Sequence, residues 1–128
     1  MRLLLDTCTF LWIVAGSSEI SERARASCAD PENEVFLSAV SAWEIALKNA
    51  IGKLPLPEAA DRYVPTARSR HGIEPLPLNE EATLQLPKLP GLHRDPFDRM
   101  LICQAIAHGL DIVTPDPAIA QYPVRTLW

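Results

Sequence analysis

Apolar positions along the chain fall in short dense runs separated by proline, glycine and polar breaks, and this spacing predicts alternating strands and helices. Arg2–Leu5 reads as a brief strand buried on both faces, ending on an acid at Asp6. Glu34–Ser38, Ile73–Leu76, Asp111–Thr114 and Val124–Leu127 read as further strands. Between them, Thr7–Val14 predicts a first helix and Ala15–Ser18 a turn. Ser21 is placed to cap a helix running to about Ala29, and Asp30-Pro31-Glu32-Asn33 forms a turn. A helix opening at Ser41 is stopped by Gly52, and Leu54–Pro57 is extended. A helix over Glu58–His71 precedes Gly72, and Asn79 caps a helix to about Leu86. After a loop containing proline and glycine, Asp95 as cap, Pro96 at the first helical position and Gly109 past the end mark the clearest helix. Pro115–Tyr122 is a loop or a short helix. Such alternation predicts an α/β fold, with a parallel sheet covered by helices on both faces.

With 128 residues, the chain is expected to form a single domain over residues 1–128. No apolar run nears the roughly 18 residues of a membrane span. Leu3–Leu5 is too short for a signal-peptide core, so a cytoplasmic location is expected. Cys8, Cys28 and Cys103 are odd in number and far apart, which disfavours a zinc site or a disulfide framework and points to three small buried thiols. A net charge of −4 argues against a surface that grips nucleic acid everywhere. A local basic rim or a bound cation changes that balance at one place.

The acids carry the chemistry. In an open α/β sheet, ligands bind beyond the carboxyl ends of the strands. Asp6 follows the first strand directly, and Asp116 follows the Asp111–Thr114 strand by two residues. Glu44 and Asp98 are expected in the first turns of helices. Gathered at one edge, four carboxylates would raise one another's pKa, a cost that a hard divalent cation relieves. No P-loop, glycine-rich phosphate loop or Ser-His-Asp order is present, so metal-assisted hydrolysis is the economical mechanism. Local structure offers a competing account. Ser41 and Glu44 fit a capping box, Asp95 and Asp98 suit a helix start, and Asp116 between Pro115 and Pro117 suits a turn. Asp6, ending an apolar strand, has the least local use.

Four segments resemble the PIN-domain family, in order and over almost the whole chain. They are Leu3-Leu4-Leu5-Asp6-Thr7, Ser38 to Lys48 around Trp43-Glu44, His93-Arg94-Asp95-Pro96-Phe97-Asp98-Arg99, and Thr114-Pro115-Asp116 with Tyr122-Pro123-Val124. The resemblance is to the VapC-type toxins of bacterial toxin–antitoxin pairs. It implies a three-layer α/β/α sandwich, a Mg²⁺- or Mn²⁺-dependent endoribonuclease acting on RNA, a homodimer and a cognate antitoxin. It carries the metal-binding and catalytic roles onto Asp6, Glu44, Asp98 and Asp116. Asp95 is a possible accessory acid but mainly a cap, while Thr7 and Thr114 are placed to bond a carboxylate or a bound water. Two departures stand out: Cys8 where relatives often carry His, and Pro115, just before Asp116, where a smaller residue is commoner.

Other residues have plainer expectations. Trp12 and Trp43 read as core or dimer packing, and Trp128 as closing the core. Arg94 and Arg99 are placed to meet RNA phosphates, or Arg99 to neutralise an acid. His93 is the histidine near the proposed site, where a surface hydrogen bond is expected. A phosphatase of the haloacid dehalogenase type would need an Asp two residues after Asp6, and Cys8 stands there. A catalytically inactive PIN-like interaction module, its acids serving as caps, is the alternative.

Overall fold

A computed structural model describes residues 1–128. Its centre is a strand that is apolar on both faces. Leu3, Leu4 and Leu5 of β1 (Arg2–Leu5) are fully buried, and their alternation sends Leu3 and Leu5 into one apolar cluster and Leu4 into the other. On either side of β1 lie β2 (Glu34–Ser38) and β4 (Asp111–Val113), with β3 (Glu74–Leu76) and β5 (Thr126–Leu127) outside them. The order is β3-β2-β1-β4-β5 and every pairing is parallel. A parallel sheet must be covered on both faces. Helices α1 (Thr7–Ala15), α2 (Glu22–Ala29) and α4 (Ala60–Arg70) supply Phe10, Ala24, Val64 and Ala67 to one cluster. Helices α6 (Pro96–His108) and α7 (Pro117–Ala120) supply Leu101, Ile102, Ala105 and Ile119 to the other. The α3 helix (Ala39–Ala50) gives Ile45 to the first and Val40 to the second. The result is the expected α/β/α sandwich.

The order matters for function. From β1 the chain moves outward through β2 to β3, then returns to the other flank for β4 and β5. The crevice therefore opens between β1 and β4, beyond their carboxyl ends. Leu5 pairs with Val113, and Asp6 donates its amide to the Val113 carbonyl at 3.3 Å. Asp6 and Thr114 thus leave the sheet side by side.

Several boundaries differ from expectation. The α3 helix opens at Ala39, because Ser38 rather than Ser41 caps it, accepting from the Val40 amide at 2.9 Å. The Ser38 hydroxyl also donates to Gln104, which is fully buried in α6. The chain bends into helix at the strand end because that buried polar pair fixes it there. The Asn79-capped helix α5 (Glu80–Thr83) is shorter than predicted, and a 3-10 turn follows at Leu86–Lys88, where Pro87 interrupts regular helix.

Leu4→Ala would leave a cavity between the sheet and α6. The expected loss is about 2–5 kcal/mol, read as a lower urea midpoint at unchanged slope.

Candidate metal centre

The switch point is built around Asp6. Its backbone is extended, and its carboxylate caps α1: Oδ1 accepts from the Thr9 amide at 2.7 Å, and Oδ2 accepts from the Thr114 hydroxyl. An acid ending an apolar strand therefore does have a local use, contrary to the sequence reading. Only 7% of Asp6 is exposed. Burial raises its carboxyl above the usual range, the bonds from Thr114 and Thr9 oppose that, and the Asp116 charge adds to it.

Glu44 lies in the second turn of α3, one turn later than predicted, since the helix begins at Ala39. Ser41 is then no cap but a buried partner. Its hydroxyl oxygen stands 3.0 Å from that of Thr7, which donates to Glu44 Oε1 at 2.7 Å. Lys48, one turn on, pairs with Glu44 Oε2, and that bond raises the Lys48 pKa. Lys48 is a site residue the sequence reading passed over, although Glu–Lys at four-residue spacing was a visible signal.

Asp98 and Asp116 complete the arrangement. Asp95 Oδ1 accepts from the Phe97 and Asp98 amides at 2.9 and 3.0 Å, which commits Asp95 to capping α6. Asp98, in the first turn, points its Oδ2 at His93 Nε2, 2.9 Å away. Burial pushes the Asp98 carboxyl up to about 6, helped by the charges of Asp95 and Glu44 and opposed by His93. Asp116 caps α7 through Oδ1, which accepts from the Ala118 amide at 2.8 Å, and its own amide donates to the Thr114 hydroxyl at 3.1 Å. The following Pro117 occupies the first helical position.

The tightest grouping is not the four acids together. One ligand atom each from His93, Asp98 and Asp116 lie within 4.8 Å of one another. Asp6 joins them through Thr114, and Glu44 through its charge on Asp98. His93, expected to make a surface hydrogen bond, is half-buried and belongs to this group. Two carboxylates and an imidazole in such reach form a donor set suited to a divalent cation.

Around this centre, Cys8 is exposed rather than buried, and partial desolvation with the charges of Asp6 and Glu44 raises its pKa, so the thiol stays protonated. Cys28 is half-buried and Cys103 buried, both free. Arg99 neutralises no acid: it forms no ion pair, and its Nε is buried without a partner. Trp43 is exposed rather than in the core, with its ring edge-on to Phe97 at a centroid distance of 4.8 Å. Trp128 packs edge-on against Trp12 at 5.9 Å, closing the core as expected.

Sheet order, helical layers and an acidic centre at the switch point define a small α/β domain that gathers carboxylates between β1 and β4. The chain belongs to the PIN domain family, whose model matches residues 3–124. It is 40% identical over 67 residues to Ribonuclease VapC16 of Mycobacterium tuberculosis, a match spanning 52% of this chain and 48% of that protein. In fold it is similar to a chain from the crystal structure of VapBC2 from Rickettsia felis bound to a promoter DNA fragment, with TM-score 0.72, 16% identity and coverage of 99% and 98% of the two chains. A chain of DNA-bound VapBC from Salmonella typhimurium gives 0.70 at 22% identity, covering 99% and 97%.

Asp98 has a consequence for stability. Its folded pKa, about 6, lies above the ordinary value of 3.8. The unfolded chain therefore loses this proton first, and the folded state is penalised increasingly as pH rises from about 4 to 6 and fully above. In metal-free protein, Asp98→Asn is expected to stabilise by about 1–3 kcal/mol at pH 8 and negligibly near pH 4, measured by denaturant unfolding at both pH values.

Proposed function

We propose that this chain is a metal-dependent endoribonuclease that hydrolyses RNA phosphodiester bonds and serves as the toxin of a toxin–antitoxin pair. The observation that carries the reading is the gathering of Asp6, Asp98 and Asp116, with Glu44 beside them, at the switch point of a PIN-domain chain. The ribonuclease name of a relative matched over about half its length supports the activity. The VapBC structures support an antitoxin partner. No helix is long and apolar enough to cross a membrane, which accords with action in the cytoplasm. We read residues 1–128 as one PIN-like unit.

Asp6, Asp98 and Asp116 would hold Mg²⁺ or Mn²⁺. Bound there, the cation supplies Lewis-acid polarisation of the phosphate. Glu44, whose Oε1 is fixed by Thr7 and whose Oε2 is paired with Lys48, orients the attacking water. The water oxygen joins phosphorus, the bond to the 3′-oxygen breaks, and the proton released by the water ends on that oxygen, so the products are a 5′-phosphate and a 3′-hydroxyl. Lys48, on the exposed side of Glu44, offers the approaching RNA a positive charge in an acidic surrounding.

A homodimer is supported by α3. Trp43 and Leu47 on α3 and Ile51 at its C-cap recur every four residues and are 59%, 41% and 56% exposed, an apolar stripe open to solvent.

An inactive interaction module has one observation in its favour: Asp6, Asp95 and Asp116 all cap helices. Cleavage decides between the two. Incubated with RNA and Mg²⁺ or Mn²⁺, the chain is expected to cut, EDTA to stop it, and Asp98→Asn to lower the rate by more than about 100-fold while the variant stays folded. Intact RNA in every metal, with folded protein and several RNA classes tested, would sink the enzyme reading. On the dimer, Ile51→Lys is expected to weaken self-association by more than about tenfold, about 1.4 kcal/mol, in sedimentation equilibrium.

A further inference from the structure

We infer that His93 is itself a ligand of the cation, giving the site a mixed nitrogen–oxygen donor set that favours Mn²⁺ over Mg²⁺. The inference rests on the reading of this centre as a metal site and adds to it a residue outside the four acids.

The geometry carries it. His93 Nε2 stands 2.9 Å from Asp98 Oδ2. Two donors at right angles on an octahedral ion, with bonds of about 2.1 Å, stand about 3.0 Å apart. The pair is therefore already spaced as one edge of a coordination octahedron, and the ion would take the place of the proton now shared between them. Asp116 closes the group, all three ligand atoms lying within 4.8 Å of one another. Its Oδ1 is held by the Ala118 amide, so the carboxylate is oriented before any ion arrives.

His93 is also held in place from behind. Its amide donates to the Tyr122 hydroxyl at 2.8 Å, and Tyr122 is buried against α7 and α6. The loop leading into α6 is thus pinned where the imidazole enters the site. Such support fixes a ligand and limits how far the site can re-form around another ion. Mg²⁺ takes oxygen donors and dehydrates reluctantly, whereas imidazole nitrogen suits transition ions. A nitrogen in the set therefore costs Mg²⁺ more than Mn²⁺.

The simpler account is that His93 only hydrogen-bonds Asp98 and positions it. Binding of the bare ions separates the two. Mn²⁺ is titrated into the full chain and followed by electron paramagnetic resonance, and Mg²⁺ is followed by calorimetry. Wild-type protein is expected to show nitrogen hyperfine coupling on bound Mn²⁺ in pulsed experiments, and His93→Gln to lose it. The variant keeps a hydrogen-bonding side chain toward Asp98. Its Mn²⁺ Kd is expected to rise roughly tenfold or more and its Mg²⁺ Kd by less than about threefold. His71 and His108 lie at the C-terminal ends of α4 and α6 and should contribute no coupling.

Mn²⁺ bound without nitrogen coupling overturns the proposal, as does an equal loss of both ions in His93→Gln. Because these readouts need no RNA, they separate from the enzyme question. Coupling without RNA cleavage supports the ligand and sinks the ribonuclease. Cleavage without coupling does the reverse. Failure of both ions to bind overturns both.

Discussion

One hydroxyl ties the two halves of the switch point together. Thr114 Oγ1 donates to the Asp6 carboxylate and accepts from the Asp116 amide, so the residue leaving β4 is bonded both to the end of β1 and to the cap of α7. A threonine hydroxyl has one proton and two lone pairs, and this one can serve both partners at once. Asp6 and Asp116 repel each other, yet they are held at a fixed relation by a group that is itself buried. Glu44 is referenced to the same link. The Asp6 carboxylate starts α1, α1 carries Thr7 at its first position, and Thr7 fixes Glu44.

Two of the candidate ligands, Asp6 and Asp116, are also helix caps, and a third cap, Asp95, stands one turn before Asp98. A helix start needs an acceptor for amides that have no partner within the helix. Three starts, those of α1, α6 and α7, use aspartate for this, and all belong to segments that reach the centre. Each of these carboxylates is oriented by backbone amides, and amides also stabilise its charge. That offsets part of the repulsion among acids. It does not offset all of it, since Asp6 and Asp98 both remain above their ordinary pKa range. The residual cost is the kind a bound cation removes, and it is a cost the metal-free fold carries in exchange for a preformed site.

Much of this was legible in the chain. Unbroken Leu3-Leu4-Leu5 announced a central parallel strand, and Asp95-Pro96 with Gly109 bounded α6 correctly because caps are local chemistry. Local rules failed where long-range contacts decide. The start of α3 moved to Ala39 because Ser38 bonds Gln104, a residue 66 positions away, and no window around Ser41 contains that information. Glu44 moved with it, from a capping position to a buried partner of Thr7 and Lys48. The same limit applies to the setting of His93. The sequence put this histidine near the site but as a surface group, whereas Tyr122, 29 residues on, takes its amide and Asp98 its imidazole, which leaves it half-buried.

The two ionic pairs at the centre differ in a way that assigns them different tasks. Lys48 and Glu44 are neighbours on one helix, and the lysine head is well exposed. Only the lysine is open to water, with 44% of its side chain exposed against 8% for Glu44, and Thr7 still holds the carboxylate when the lysine turns away. His93 and Asp98 sit on a loop and a helix and are both mostly shielded. Breaking that contact without replacement would leave a half-buried carboxylate alone, whereas an ion inserted between them satisfies both. The exposed lysine can therefore turn toward a phosphate while Thr7 keeps its bond to Glu44 Oε1. In the proposed reading the His93–Asp98 pair exchanges its shared proton for a metal ion. In the proposed reading one contact thus serves the substrate and the other the cation, and what separates them is the solvent-exposed head of Lys48, which neither His93 nor Asp98 has.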